Sequence, residues 1–288
     1  MASEAAQRRT IEAGDLTVAY RDAAAATETG APPLLLLHGA VQTKAVWAAQ
    51  IPALSRSRRI VAPDFRGHGE TRGETAGLSV ETLAEDGFRF LDALGIDRVS
   101  LGGVSLGGMV ALEMAAREPE RIEALVLADT PLALSLHGPV RSILEALGPQ
   151  RILSPLFKLF GQRRTARLGI ASVRAAFGNK WVGADAERHF IAGFATMPPA
   201  AILATYEAIV AADPAAIRAL DIPCLVILGD DEVSLVVDHA AEIARRIGRA
   251  EIVRVNGGHV ANLDAPEAFN EAVVRFLEEL PPGSTQSR

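Results

Sequence analysis

Short apolar runs alternate with stretches of helical period along most of this chain. Residues 33–38, a proline and four leucines ending in a histidine, and residues 59–63 read as strands. The segment 47–54 between them has the length of a short helix. Residues 79–95 carry a serine cap, apolar Leu83, Phe90, Leu91 and Leu94 on one face, and Gly95 as a stop, which predicts a helix. A strand over 98–104 runs straight into a helix over 105–117, and 122–128 is another apolar strand. Further on come a strand at 223–228, a helix at 236–246 and a strand at 250–255. The last helix is expected to start near Asp264, with Glu267 at capping-box spacing and Phe269, Val273, Phe276 and Leu280 in period. Near the start, Ile11-Glu12 and residues 17–22 flank the Gly14-Asp15 turn and predict an antiparallel hairpin. Strands that are apolar throughout and alternate with helices predict an α/β fold, with a mostly parallel sheet covered by helices on both faces.

One stretch breaks the alternation. Residues 131–213 show helical patches, proline and glycine breaks and no strand, which predicts a helical insertion between core segments 1–130 and 214–288. Composition sharpens that division. The whole chain of 288 residues has a formal charge of −6, but the insertion holds nine Lys/Arg against five acids. It is therefore +4 and the remainder −10. Seven of the fourteen aromatics, Trp181 and Phe194 among them, also fall inside it, either as packing of the insertion on itself or as an apolar lining for a ligand. With 49% hydrophobic residues, disorder is excluded for most of the chain, and residues 281–288 read as a flexible tail. An acidic chain makes a poor general binder of nucleic acid. A single cysteine, Cys224, excludes an intramolecular disulfide framework. No run is long enough for a membrane span and the first residues lack a secretory apolar region, so a cytoplasmic protein is expected.

The strongest chemical signal is Gly103-Val104-Ser105-Leu106-Gly107, placed between a predicted strand and a predicted helix. A serine on so sharp a turn needs small residues two positions away on each side, because the chain folds back on itself. Its hydroxyl is a weak nucleophile at neutral pH and needs a base. His259 is the best placed of six histidines, in the loop Asn256-Gly257-Gly258-His259 after the last predicted strand. His239 is expected on a helix surface, His137 and His189 in the insertion, and His38 and His68 as residues that shape loops.

Six motifs in order now carry a resemblance: His38-Gly39, Trp47, residues 62–69 (Ala-Pro-Asp-Phe-Arg-Gly-His-Gly), residues 103–107, residues 125–130 and residues 258–263. The chain resembles the α/β-hydrolase superfamily, and within it the cofactor-independent esterases and enol-lactonases, over residues 10–280. The resemblance implies a helical cap over the site for residues 131–213. It also implies an oxyanion hole of two backbone N–H groups, those of Ala40 and Leu106. Where that family carries its orienting acid, this chain has Gly229-Asp230-Asp231-Glu232. Glu232 holds the usual position with a longer side chain; Asp231 and Asp129, at the end of the preceding strand, remain alternatives.

The expected function is hydrolysis of a small carboxylic ester or lactone by Ser105, Glu232 and His259, with no cofactor and no metal. Carbon–carbon or thioester hydrolysis, perhydrolysis or transfer on the same fold, and a non-catalytic binding module are the rivals. Dehalogenation and epoxide opening are disfavoured, because they need a carboxylate where Ser105 stands. P-loop, dinucleotide-binding and clustered metal-ligand spacings do not occur.

Overall fold

Strand β3 (Leu34–Leu37) shows why four consecutive leucines make one sheet strand. Leu34 and Leu36 join one apolar cluster and Leu35 and Leu37 the other, on opposite faces, and all four are buried. Each such side chain contributes about 1.5–3 kcal/mol on burial, so the run is stable only with both faces covered. Strands β6 (Ile122–Ala128) and β7 (Cys224–Gly229) divide their residues between the two clusters in the same alternating way.

The computed structural model describes residues 7–27, 30–133, 139–213 and 220–280, with backbone alone over 139–149. The remaining strands are β1 (Gln7–Ala13), β2 (Leu16–Ala23), β4 (Ile60–Pro63), β5 (Val99–Val104) and β8 (Ala250–Val255). They form one eight-stranded sheet in the order β1-β2-β4-β3-β5-β6-β7-β8. β2 pairs antiparallel with both β1 and β4, and every other pairing is parallel. Helices α2 (Val80–Ala93), α3 (Leu106–Arg117) and α7 (Ser234–Arg246) cover one face. The short α1 (Ile51–Leu54) and α8 (Ala261–Asp264), with α9 (Pro266–Glu278), cover the other, where Trp47 packs against Phe269. Ser79 caps α2 through the Thr82 amide, and Gly95 follows its end at φ 65°.

Three expectations need correction. The last helix starts near Asp264 but without the expected capping box: one turn, α8, ends at Asp264, Pro266 opens α9, and its N-cap Ala265 makes no side-chain bond. Proline at the first position of a helix loses no bond, so it sets that boundary, while the Asp264 carboxylate accepts from Gly258 N at 3.0 Å. β8 is not apolar throughout, because it is an edge strand and Glu251, Ile252 and Arg254 face water. The hairpin is also longer than its apolar residues suggest, since β1 lies at the other edge with its first four residues exposed.

Between β6 and β7 lie α4 (Pro139–Phe177), α5 (Ala184–Thr196) and α6 (Pro199–Ala211). Of the expected breaks, Gly161 lies within α4 in the left-handed region at φ 71°, Gly178 follows its end at φ 99°, and Pro198 precedes α6. Phe194, Met197 and Ile202 of this region pack on Val41, in the loop after β3. Among the described residues no helix is long and apolar enough to cross a membrane. The tail 281–288 and His137 lie outside the described residues.

Candidate active site

Ser105 stands at the junction of β5 and α3 with φ 53° and ψ −116°, a backbone conformation few non-glycine residues adopt. The neighbouring glycines make that turn possible. A Cβ on Gly103 would run into the Gly107 carbonyl, and one on Gly107 into the carbonyl of Leu37 in β3. The Ser105 amide donates to Ala128 O of β6 at 2.9 Å, which ties the turn to the next strand. A position so firmly held keeps the serine beyond the carboxyl end of β5, where its hydroxyl meets His259.

Two loops, from the ends of neighbouring strands β7 and β8, supply a chain of groups that ends on that hydroxyl. Nε2 of His259 lies 3.1 Å from Ser105 Oγ. Nδ1 of the same ring lies 2.6 Å from Oε2 of Glu232, which leaves the end of β7. A carboxylate only accepts, so Nδ1 carries the proton and Nε2 of the neutral ring is free to accept from the serine. The Glu232 side chain is wholly buried (0% exposed) and its other oxygen accepts from Val233 N and Trp181 Nε1, both at 2.7 Å. Burial raises the pKa of this carboxyl, but the His259 charge and these donors outweigh it and hold it below the ordinary range. For His259, burial pulls the pKa down, and the charge and hydrogen bond of Glu232, helped by Asp129 and Asp264, carry it above its usual 6.5.

The loop after β3 is buttressed by two buried histidines. His38 donates from Nδ1 to Gly39 O and accepts at Nε2 from Phe65 N at 3.1 Å. His68 donates to Arg66 O and accepts from Val41 N at 3.3 Å. Burial keeps both rings neutral, pushing His68 down to about 3. Asp64 anchors the same loop by accepting from Lys44 N at 2.7 Å. Residues 62–69 are thus the support for the segment that carries Ala40. Among the described residues neither the Ala40 nor the Leu106 amide is bonded to another protein group.

A family model for the alpha/beta hydrolase fold matches residues 32–266. The chain belongs to the α/β-hydrolase family. The 2-hydroxymuconate semialdehyde hydrolase of Pseudomonas sp. strain CF600 is 30% identical over 259 residues, spanning 86% of this chain and 87% of that protein. RutD of Stutzerimonas stutzeri strain A1501, provisionally named a carbamate hydrolase, is 27% identical over 261 residues, 88% of this chain and 94% of its own. The crystal structure of the enol-lactonase from Burkholderia xenovorans LB400 superposes with a TM-score of 0.73 at 26% identity, covering 94% of this chain and all of that one.

In this hydrolase the three candidate acids have separate fates. Glu232 meets the imidazole. Asp231 lies at the rim, 4.0 Å from Lys180. Asp129 is fully buried at φ 44°, and its two oxygens accept from Gly229 N and Ala261 N, each at 2.9 Å. It therefore joins the loop that leads to Glu232 to the loop that holds His259, without a hydrogen bond to the ring. Burial pushes its pKa up to about 7, against the charge of His259 and the two amides. An acid whose folded pKa exceeds its unfolded value loses folded-state stability as pH rises between the two, here from about 4 to about 7. In Asp129→Asn one amide hydrogen loses its acceptor, at a cost of about 1–3 kcal/mol. Urea unfolding should show the variant less stable at pH 5, with the gap narrowing by pH 8 because only wild type pays for ionisation. A gap that widens with pH would contradict this account of Asp129.

Other histidines resolve differently from the sequence. His239 is not simply a surface residue: its Nδ1 accepts from Leu132 N at 3.1 Å and so holds the chain as it leaves β6. Cys224 is buried in β7, where burial raises its thiol pKa and removes it from chemistry. The aromatics of residues 131–213 mostly pack on one another, as Phe157, Phe190 and Phe194 do. Trp181 is the exception that touches the site, and no motif in the sequence marks it.

Proposed function

We propose that this hydrolase cleaves a carboxylic ester or lactone through an acyl-enzyme, with Ser105 as nucleophile, His259 as base and Glu232 as the orienting acid. The observation that carries the reading is the hydrogen-bond chain from Ser105 Oγ through both nitrogens of His259 to Glu232 Oε2. Ser105 Oγ attacks the carbonyl carbon while its proton passes to His259 Nε2. Negative charge gathers on the former carbonyl oxygen, and the free amides of Ala40 and Leu106 are the donors assigned to it. Leu106 opens α3, the electropositive end of a helix, which favours that charge. Collapse breaks the carbon–oxygen bond, and the imidazolium returns the proton to the leaving alkoxide. Water, deprotonated by the same ring, then attacks the acyl carbon; the acid leaves and Ser105 recovers its proton. For a lactone the alcohol stays attached to the acyl group, and the product is one hydroxy acid.

Helices α4 to α6 serve in this reading as a cap that shapes the acyl pocket, since they join the core at Val41 and at Trp181. The name of the enol-lactonase neighbour supports the lactone form. The name of the semialdehyde hydrolase relative supports the second reading, cleavage of a carbon–carbon bond by the same three residues. A panel of short-chain p-nitrophenyl esters, enol lactones, thioesters and β-diketones separates them. Ester or lactone turnover should exceed β-diketone cleavage by at least about tenfold in kcat/KM, and a fluorophosphonate should label Ser105. Preferred cleavage of the diketones would replace the first reading by the second. Folded protein that neither turns over any member nor accepts the label would be a binding module.

A further inference from the structure

Trp181 sits between α4 and α5, outside the three residues proposed to do chemistry, yet it touches two of them in three ways. Its indole stacks on the His259 imidazole, with ring centroids 4.7 Å apart and planes at 26°. Its Nε1–H donates to Glu232 Oε1 at 2.7 Å. Its carbonyl accepts the His259 amide at 2.8 Å. Phe177 also packs on it, tilted by 52° with centroids 5.1 Å apart. The surrounding chain is close-packed: a Cβ on Gly258 would collide with the carbonyls of Lys180 and Trp181, and one on Gly183 with the Asp264 carboxylate. Arg174 donates to Val182 O at 2.8 Å and keeps this turn on the end of α4.

We propose that Trp181 is a positioning residue for the acid–base pair, through which the helical segment between β6 and β7 sets the orientation of His259. The proposal rests on the serine-hydrolase reading for its catalytic consequence, though not for the contact itself. Two donors, Trp181 Nε1 and Val233 N, occupy Glu232 Oε1, so Oε2 alone is turned to the ring. The stacked indole closes one face of the imidazole and holds its plane on the line from Glu232 to Ser105. Glu232 and His259 come from the sheet core, whereas Trp181 comes from the segment proposed to cover the substrate. Docking of that segment and competence of the base are therefore linked. The charged groups around the imidazole are Glu232, Asp129 and Asp264, with the Lys180–Asp231 pair at the rim.

Trp181→Phe keeps a stacking ring and removes the donor. Glu232 then holds its charge with one fewer hydrogen bond and becomes the more basic partner, so imidazolium is favoured. The expected result is about tenfold lower kcat with KM within about twofold, and an acid limb of kcat/KM moved up by about half a pH unit. Trp181→Ala should lose about a further tenfold. A second measurement does not depend on turnover. Trp47 and Trp181 are the chain's two tryptophans, so a ¹⁵N-indole spectrum has two resonances. The Trp181 signal should move with the titration of His259 and stop doing so in His259→Ala, while Trp47 reports that each variant is folded. A Trp181→Phe enzyme with wild-type kcat and an unmoved acid limb would overturn the proposal, as would an indole signal that stays flat while the His259 ring titrates. Turnover that survives Ser105→Ala would instead overturn the hydrolase reading, and the indole titration would still decide the contact.

Discussion

Replacing Ser105 by alanine should lower kcat by about 10⁴–10⁶-fold while leaving the protein folded. Alanine fits the same turn: the φ of 53° is imposed by the packing of Gly103 and Gly107 against neighbouring backbone, and the serine side chain makes its hydrogen bond to His259 alone. Nothing that supports the sheet is removed. In the proposed mechanism the loss is in the chemical step, because among the described residues Ser105 alone bonds His259 Nε2, and the assigned amide donors leave only the residual rate of an organised pocket. Substrate affinity should stay within a few-fold, since the oxygen removed is small. Steady-state turnover, a thermal unfolding curve and fluorophosphonate labelling make the check. A folded variant that keeps more than a tenth of wild-type kcat would remove Ser105 from the mechanism.

Glu232→Gln should cost about 10⁴-fold in kcat, and the structure gives the reason. Glu232 Oε1 accepts two hydrogen bonds, from Trp181 Nε1 and Val233 N, and only the amide oxygen of glutamine can take that place. The glutamine NH₂ is then turned towards His259 Nδ1 and requires an acceptor there. The ring must move its proton to Nε2, where it blocks transfer from Ser105. The pH profile carries a separate sign. In wild type Glu232 holds the His259 pKa above 6.5, and catalysis needs the neutral ring, so the acid limb of kcat/KM falls above pH 6.5. Without the carboxylate, burial is opposed only by the charges of Asp129 and Asp264, and the limb should move to lower pH than in wild type. Full activity in Glu232→Gln, together with its loss in a folded Asp129→Asn, would transfer the orienting role to Asp129.

Most of the sheet was legible in the chain because its central strands are buried on both faces. β3 and β7 have no solvent side and appear as unbroken apolar runs, and β6 differs only by Glu123, which pairs with Arg58. The edges were less legible for the complementary reason: β1 and β8 have polar, exposed residues whose pairing depends on a neighbour far along the chain. The Ser105 turn stood out because its geometry demands glycine at 103 and 107, a demand the sequence records directly. In α4 the glycine signal is local and real, since Gly161 takes the left-handed φ of 71° within the helix.

The acid shows where local pattern stops. Asp129 and Glu232 leave the ends of adjacent parallel strands, β6 and β7, and both lie close enough to His259 to act on its charge. Spacing along the chain favours Glu232 by resemblance but leaves Asp129 open. Burial and backbone donors separate them: Asp129 is consumed by the amides of Gly229 and Ala261, and Glu232 reaches the ring. Trp181 was less legible still, 51 residues from the carboxylate it binds and unmarked by any motif. Apolar periodicity, turn residues and the glycine-flanked serine are properties of neighbours in sequence, so the chain by itself determined the alternating fold, the place of Ser105 and the loop of His259. Which carboxylate hydrogen-bonds the imidazole, and which aromatic ring lies upon it, was decided only when strand ends and the intervening helices converged in space. A hydrogen bond depends on distance and direction between groups that the covalent order keeps far apart.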